Sequence, residues 1–237
     1  MIVFEGRGIL LDVEGTTSSI SFVYDVLFTY AKAQIGEFLA AHRHDIRVMD
    51  LAAAVTTSAG TPLTAAAVAA DSTRGALAAI DLMNRDVKDT ALKELQGLIW
   101  RSGFESGLLV AHVYDDVPPA LGAWADSGLD VRIYSSGSIE AQKLFFGHTA
   151  AGDLTPHLRG HYDTTTGPKR EPASYTRIAA DMELEPRQIL FVSDVGAELD
   201  AARTAGLATG WALRPGNRDA GGVLEHEPVS SFAEIVV

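Results

Sequence analysis

The sequence predicts an α/β protein with a doubly wound parallel sheet, into which a helical domain is inserted. Apolar runs at residues 9–11, 131–134 and 189–192 each end in polar residues, as expected for buried strands that deliver side chains into loops. Helical patterns separate the later runs, and strands that alternate with helices form parallel sheets. The stretch from about residue 22 to 112 lacks this alternation and has helical spacing throughout.

Composition limits the classes of partner. The 237 residues are 47% hydrophobic, which is enough to bury a substantial core. With 19 Lys and Arg against 31 Asp and Glu, the formal charge is -12, so the chain would repel a polyphosphate backbone. We therefore expect no nucleic-acid partner, although a small phosphorylated substrate remains compatible because a metal ion and one lysine can reverse the local potential.

The absence of cysteine excludes disulfides, thiolate catalysis and cysteine-based metal sites. Met1 to Arg7 lack the basic start and apolar stretch of a secretory signal, and no later window is apolar enough to span a bilayer. We expect a cytoplasmic protein with no membrane partner. A monomer is also expected.

The elements of the predicted core follow one another at regular intervals. Helical patterns occupy residues 117–128, 139–146, 175–182 and 198–205, and a fourth strand is predicted at 209–213, before the turn at 214–217. In such sheets ligands bind outside the carboxyl ends of the strands. The side chains that follow these ends are therefore the candidates for function.

The helical insert shows an apolar face that includes Leu92, Leu95, Ile99 and Phe104. We therefore expect residues 1–20 and 114–237 to form the catalytic core and residues 21–113 to form a helical cap. Because the insert leaves the core after the first strand, we expect it to lie over the strand ends as a lid.

The first candidate segment, residues 12–17, has the sequence Asp-Val-Glu-Gly-Thr-Thr. Phosphoryl transfer to a carboxylate needs an exposed aspartate, a second carboxyl group for proton transfer, and small residues whose amides approach the phosphate. Asp12, Glu14 and Gly15 supply these groups. Alone, such a segment is more often a polar turn at a strand end.

Three further segments lie at the predicted strand ends or between them. Ser135 and Ser136 offer hydroxyls and amides for phosphoryl oxygens, although a Ser/Gly cluster is often a plain turn. Lys169 offers a cation, although most lysines are only solvated. Ser193-Asp194, with Glu198 four residues on, offers a hard oxygen ligand for Mg²⁺, or a helix cap. His148, His157 and His161 are expected in surface loops.

The order of these segments is informative. An acidic strand end, a serine-rich strand end, a lysine and a second acidic strand end follow one another as in the haloacid dehalogenase (HAD) superfamily, which the chain resembles. More specifically, residues 11–17, 133–144, 160–164 and 167–175 resemble the enolase-phosphatase family, also called acireductone synthase. Residues 95–101 of the insert continue the resemblance, whereas Thr29 and Gly196-Ala197 depart from it.

The resemblance implies a HAD-like core with a helical cap and a phosphoric monoester hydrolase. The implied substrate is a small phosphorylated diketone, 2,3-diketo-5-methylthiopentyl-1-phosphate, which is enolised and dephosphorylated to the acireductone of methionine salvage. Asp12, Glu14 and Lys169 would be catalytic, and Ser135, Ser136 and Lys169 would bind substrate. One Mg²⁺ per subunit would be held by the carboxylates of Asp12 and Asp194 and by the Glu14 carbonyl.

The sequence is also compatible with two alternatives. A general HAD-type metabolite phosphatase would share the fold and the phosphoryl chemistry but lack the enolase step. A signalling receiver domain also places an acceptor aspartate, a hydroxyl residue and a lysine at strand ends. The early position of Asp12 and the large insert disfavour the receiver domain, because it needs no insert and carries its acceptor on a middle strand.

Overall fold

The computed structural model describes residues 1–217 and 225–237 and divides the chain into two compact units. The core unit consists of Met1–Phe22 and Val110–Val237, and the helical unit consists of Val23–Leu109. The expectation that the helical unit acts as a lid stays a prediction.

The strands of the core unit form a parallel sheet and a short strand pair. The pair joins β1 (Ile2–Val3) to β8 (Ile235–Val236). The sheet contains β2 (Gly8–Leu11), β3 (Asp130–Tyr134), β4 (Gly160–Tyr162), β5 (Ile189–Ser193), β6 (Ala208–Ala212) and β7 (Glu227–Val229). Its order is β4-β3-β2-β5-β6-β7, and every neighbouring pair is parallel. The predicted α/β class with a parallel sheet is confirmed.

The centre of the sheet is the point at which the strand order reverses. The chain passes from β2 outward through β3 to β4, then returns to β5 on the other side of β2 and continues to β7. Leu11 pairs with Ile133 on one side and Val192 on the other, so these three strands end at the same edge. A ligand crevice is expected at such a reversal.

The helical unit is closed around its own apolar core. It begins within a π-helix at Phe22–Phe28 and continues through α1 (Thr29–Ala41), α2 (Ile46–Ser58), α3 (Ala65–Ala70), α4 (Ser72–Asn84) and α5 (Thr90–Glu105). Asp45, Thr64, Asp71 and Asp89 cap the last four helices by accepting hydrogen bonds from first-turn amides. Residues such as Ile35, Ala52, Leu82, Leu95 and Ile99 are buried together between the helices.

The helices of the core unit cover its sheet. They are α6 (Val117–Asp126), α7 (Ile139–Gly147), α8 (Pro172–Asp181) and α9 (Gly196–Thr204), with 3-10 turns at Thr155–His157, Pro186–Gln188 and Phe232–Glu234. On one face, Tyr175 and Ile178 of α8 and Leu199 of α9 are buried with Leu10 and Phe191 of the sheet. In the described part of the chain, no helix is long and apolar enough to cross a membrane.

The expectation for His161 is wrong. The residue lies within β4, and its ring is half-buried instead of lying in a surface loop. The amide group of Gln142 donates to the carbonyls of Gly137 and Tyr162, so its oxygen is the acceptor 3.1 Å from His161 Nδ1. Nδ1 therefore carries the hydrogen, and burial lowers the pKa of His161 to about 4, with the charge of Lys143 acting in the same direction.

Candidate active site

Asp12 is the first residue after β2, and its carboxylate is buried in the core unit with 4% of the residue exposed. The Asp12 amide donates to Val192 O at 3.0 Å, which continues the sheet pattern by one residue. Oδ1 accepts from the amide of Val13 at 2.7 Å, and Ser193 Oγ lies 3.1 Å from Oδ2. Both oxygens are therefore oriented by neighbouring groups, as a positioned nucleophile requires.

Lys169 lies between two carboxylates. Its Nζ is 2.7 Å from Asp12 Oδ1 and 2.6 Å from Glu198 Oε2, and the lysine side chain is 9% exposed. Burial lowers the pKa of Lys169, but the negative charges of Asp12 and Glu198 outweigh this effect and raise it above its ordinary value. Lys169 is consequently an ammonium ion at neutral pH.

The loop that carries Lys169 is held at three successive carbonyls. Tyr134 Oη donates to Gly167 O at 2.8 Å, Ser174 Oγ to Pro168 O at 2.8 Å, and Tyr175 Oη to Lys169 O at 2.6 Å. Because buried hydroxyls on β3 and α8 fix consecutive peptide groups, the loop presents the lysine from a defined direction. This support explains how a residue outside any strand or helix reaches Asp12.

Asp194 follows β5 and contacts the backbone of Gly15. Gly15 has φ = +71°, and a Cβ added there would overlap the carboxylate of Asp194. Only glycine combines this conformation with such a close approach. The sequence Glu-Gly-Thr thus brings the loop after β2 against the end of β5.

The acidic groups create an uncompensated negative potential. Burial, followed by the charges of Asp12 and Glu198, raises the pKa of Asp194 to about 7, although Lys169 acts in the opposite direction. Burial and Asp12 also raise the pKa of Glu198, against the effect of Lys169. Three carboxylates thus share one ammonium, and the site favours a further cation.

The remaining predicted residues, Glu14, Ser135 and Ser136, follow the ends of β2 and β3 at the same edge of the sheet. Glu14 lies two residues beyond Asp12 and is half-buried. Its backbone forms an isolated parallel β-bridge with that of Ser18. Ser135 is buried at the end of β3 and its Oγ accepts from the amide of Gly137 at 3.2 Å, whereas Ser136 is exposed. The roles given to these three residues stay predictions.

Two contacts of the site were not predicted. The sequence indicates Glu198 only as a neighbour of Asp194 and Ser193 only as part of a strand end, yet both contact the central cluster. Ser193 Oγ shares its hydrogen between Asp12 Oδ2 and Glu198 Oε2, which lies 3.2 Å away. The spacing of Asp194 and Glu198 was the available signal, because it places the second carboxylate in the first turn of the next helix.

The donor chemistry of this edge fits Mg²⁺. Asp12 and Asp194 offer carboxylate oxygens, the backbone of Glu14 offers a carbonyl, and Mg²⁺ prefers such hard oxygen ligands. Within residues 1–217 and 225–237, no three histidine or carboxylate side chains form a metal cluster of their own. A set made of two carboxylates and a backbone carbonyl is compatible with that finding.

Comparison with known proteins gives a family and several close relatives. The family model described as haloacid dehalogenase-like hydrolase matches residues 7–206. Enolase-phosphatase E1 of Pseudomonas aeruginosa (strain UCBPP-PA14) is 47% identical over 232 residues, which cover 98% of each chain. Enolase-phosphatase E1 of Synechococcus elongatus is 48% identical over 219 residues, which cover 88% of this chain and 89% of the relative.

Solved structures share the architecture. The unknown transcript 4 protein of Saccharomyces cerevisiae superposes with a TM-score of 0.81 at 33% identity, covering 97% of this chain and 100% of that chain. A crystal structure of a dehalogenase has a TM-score of 0.58 at 18% identity, covering 98% and 96%, and shows likeness of fold alone.

Proposed function

This chain belongs to the haloacid dehalogenase-like hydrolases and, within them, to the enolase-phosphatases, and on that premise we propose that it converts 2,3-diketo-5-methylthiopentyl-1-phosphate to the acireductone 1,2-dihydroxy-3-keto-5-methylthiopentene and phosphate. The single observation that carries the chemistry is the buried carboxylate of Asp12 at a strand end, oriented by Lys169 and Ser193. A receiver domain is set aside because the family match covers most of the chain.

The phosphatase step uses Asp12 as the nucleophile. A carboxylate oxygen of Asp12 forms a bond to phosphorus, and the bond between phosphorus and the ester oxygen breaks, which gives an aspartyl phosphate. Water then attacks phosphorus and releases phosphate, which restores the carboxylate. Lys169 supports both steps because its ammonium group lies beside the oxygen of Asp12 and offsets charge on the phosphoryl oxygens.

Glu14 is proposed as the proton carrier. It lies two residues beyond the nucleophile and is half-buried, so its carboxyl group can protonate the leaving oxygen and later accept a proton from water. The hydroxyls and amides of Ser135 and Ser136 at the end of β3 are proposed to bind the phosphoryl oxygens. Support for both roles comes from their position beside the β2 strand end.

One Mg²⁺ per chain is proposed, held by Asp12, Asp194 and the Glu14 carbonyl. When bound, the ion supplies positive charge that offsets repulsion between the nucleophile and the phosphate. The negative potential that raises the pKa of Asp194 supports this assignment. We also propose a cytoplasmic monomer, as expected from the sequence.

Product analysis tests the proposal against its alternatives. The protein is incubated with the diketo phosphate and Mg²⁺ while ultraviolet absorbance and free phosphate are followed together. Joint appearance of an absorbing enediol and phosphate supports the enolase-phosphatase. Phosphate alone would identify a general phosphatase, and a lasting phosphoprotein would indicate a receiver. Chelation of Mg²⁺ should stop phosphate release, because two anionic groups must otherwise approach each other in a partly desolvated site.

A further inference from the structure

The loop at residues 12–18, here called the nucleophile loop, is held partly by bonds within itself. The amides of Thr16, Thr17 and Ser18 all approach Val13 O, at 3.2, 3.0 and 2.9 Å, and the amide of Gly15 donates to Ser18 O at 2.7 Å. These bonds fold the loop into a compact turn. They leave the carbonyls of Gly15, Thr16 and Thr17 directed away from the turn.

Those three carbonyls accept hydrogen bonds from two distant segments of the core unit. Two of the donors are side chains of the turn after β6, and the third is the amide of Tyr114, which precedes α6. The pairs are Gly15 O with Asn217 Nδ2 at 2.8 Å, Thr16 O with Arg214 Nε at 2.9 Å, and Thr17 O with Tyr114 N at 3.1 Å. The sequence showed residues 214–217 only as a turn.

Arg214 is itself immobilised. Its Nη1 lies 3.0 and 2.9 Å from the two carboxylate oxygens of Asp116, and it also donates to Ser230 O at 3.0 Å. The guanidinium lies 4.6 Å from the ring centroids of both Tyr114 and Phe232, and only 4% of the side chain is exposed. Because the guanidinium is planar, fixing one end of it fixes the direction in which Nε points.

Among the described residues of this region, four buried polar side-chain atoms have no protein partner. Within the part of the chain that the structure describes, the buried side-chain atoms without a protein partner are all located here: Thr16 Oγ1, Tyr114 Oη, Arg214 Nη2 and Asn217 Oδ1. Such groups reduce stability.

Gly15 connects this network to the acidic cluster. Its backbone packs so closely on Asp194 that an added Cβ would overlap the carboxylate. A displacement of the Gly15 peptide therefore changes the space available to Asp194, and through it the separation of the Asp194 and Asp12 carboxylates. The hydrogen bonds of Arg214 and Asn217 go to the loop and to neighbouring segments, so the loop is the path of contact by which they reach the cluster.

We propose that Arg214 and Asn217 are positioning residues, which clamp the carbonyls of Thr16 and Gly15 and so set the placement of Asp194 relative to Asp12. The inference rests on the proposed function for its choice of cation. Loss of the clamp should weaken Mg²⁺ binding and lower kcat, while KM for a phosphate ester changes little. A residue with a purely structural role would alter stability without this pattern.

The test uses Asn217→Ala and Arg214→Lys in the full chain. Asn217→Ala removes the donor to Gly15 O, and Arg214→Lys keeps a charge facing Asp116 but loses the Nε donor. Mg²⁺ affinity is measured by calorimetry without substrate, and kcat and KM are measured with p-nitrophenyl phosphate. We expect Asn217→Ala to lower both Mg²⁺ affinity and kcat by about tenfold, as for one lost buried hydrogen bond.

Ser231→Ala is the matched control, because Ser231 Oγ donates to Asp116 Oδ2 at 3.1 Å in the same network without touching the loop. It should leave kcat and Mg²⁺ affinity unchanged. A folded Asn217→Ala protein with wild-type values would overturn the proposal, as would a Ser231→Ala protein with equal losses. If Arg214→Lys does not fold, Asn217→Ala decides alone.

The experiments distinguish a failure of the positioning role of Arg214 and Asn217 from a failure of the proposed function. A wild-type protein that is inactive on the diketo phosphate but hydrolyses p-nitrophenyl phosphate would remove the specific function and leave the clamp to be judged by its variants. Unchanged variants of an enzyme that is active on the diketo phosphate would remove only the clamp.

Discussion

The ammonium nitrogen of Lys169 lies 2.7 Å from Oδ1 of Asp12, so the proposed nucleophile is paired with a buried cation. The same nitrogen lies 2.6 Å from Glu198, and both carboxylates are buried. A buried pair of this kind contributes little net stability, because the Coulombic attraction is offset by desolvation. In the proposed mechanism, its value lies in a fixed positive charge beside the oxygen of the proposed nucleophile.

Replacing Lys169 with alanine should therefore affect catalysis strongly. We expect Lys169→Ala to lower kcat by about a hundredfold or more, because it removes a positioned charge from the transition state. Steady-state kinetics at saturating Mg²⁺ measures the effect, and circular dichroism verifies the fold. Lys143→Ala, at an exposed position on α7, is the control. Unchanged kinetics of the Lys169 variant would remove the lysine from the mechanism.

Asp12→Asn should separate the two proposed steps. Asparagine has the same shape, and its amide oxygen can still accept from Val13 N, but it is no longer a nucleophile. We expect no phosphate release. At high Mg²⁺, slow formation of a phosphorylated enol should appear as absorbance that rises without phosphate. Undiminished phosphate release would eliminate Asp12 as nucleophile. A variant that binds Mg²⁺ and substrate but shows no rise in enol absorbance would count against an enolisation step that is independent of the nucleophile.

Gly15→Ala should lower activity and Mg²⁺ affinity beyond what backbone strain at this position would cause. The new Cβ would overlap the carboxylate of Asp194, and φ is +71°. Gly128→Ala is the control, because φ is +83° there but no atom lies within 4 Å of an added Cβ. Both changes should cost about 1 kcal/mol of unfolding free energy from backbone strain.

Only Gly15→Ala should also reduce phosphatase activity and Mg²⁺ affinity. We expect each to fall by tenfold or more, which corresponds to about 1.4 kcal/mol per tenfold and is comparable to the loss of one hydrogen bond. Urea unfolding, calorimetry and phosphate release make the comparison. Equal activity of the two variants would show that the contact with Asp194 has no part in catalysis.

His161 should contribute to loss of stability in acid. Its pKa in the folded protein is lowered to about 4, so the unfolded chain, with an ordinary histidine pKa near 6.5, binds the proton first. The free energy of unfolding should therefore fall as the pH drops from about 6.5 towards 4, and His161→Gln should make that fall less steep. Urea unfolding at pH 7.5 and pH 5 measures it.

His44→Gln, at an exposed position of the helical unit, is the comparison variant. A His161→Gln protein that loses stability in acid as steeply as the wild type would contradict the assignment to His161.

The fold was predictable where its signals are local. Runs such as 9–11 and 189–192 are long enough and apolar enough to identify buried strands, and the structure has them at Gly8–Leu11 and Ile189–Ser193. The strands β4 and β7 were not predicted, because three residues offer too little alternation to recognise. The pairing of β1 with β8 joins residues at opposite ends of the chain, for which no local pattern exists.

The sequence alone determined the parallel sheet, the family, and the residue types that stand at the strand ends, because each depends on short patterns and their order along the chain. Only the tertiary structure decided that Lys169 pairs with both Asp12 and Glu198, and that Arg214 and Asn217 hold the carbonyls of the nucleophile loop. These contacts join residues up to 202 positions apart. The distances between these groups depend on how strands β2, β5 and β6 lie side by side. The periodicity of a single segment contains no information about that arrangement.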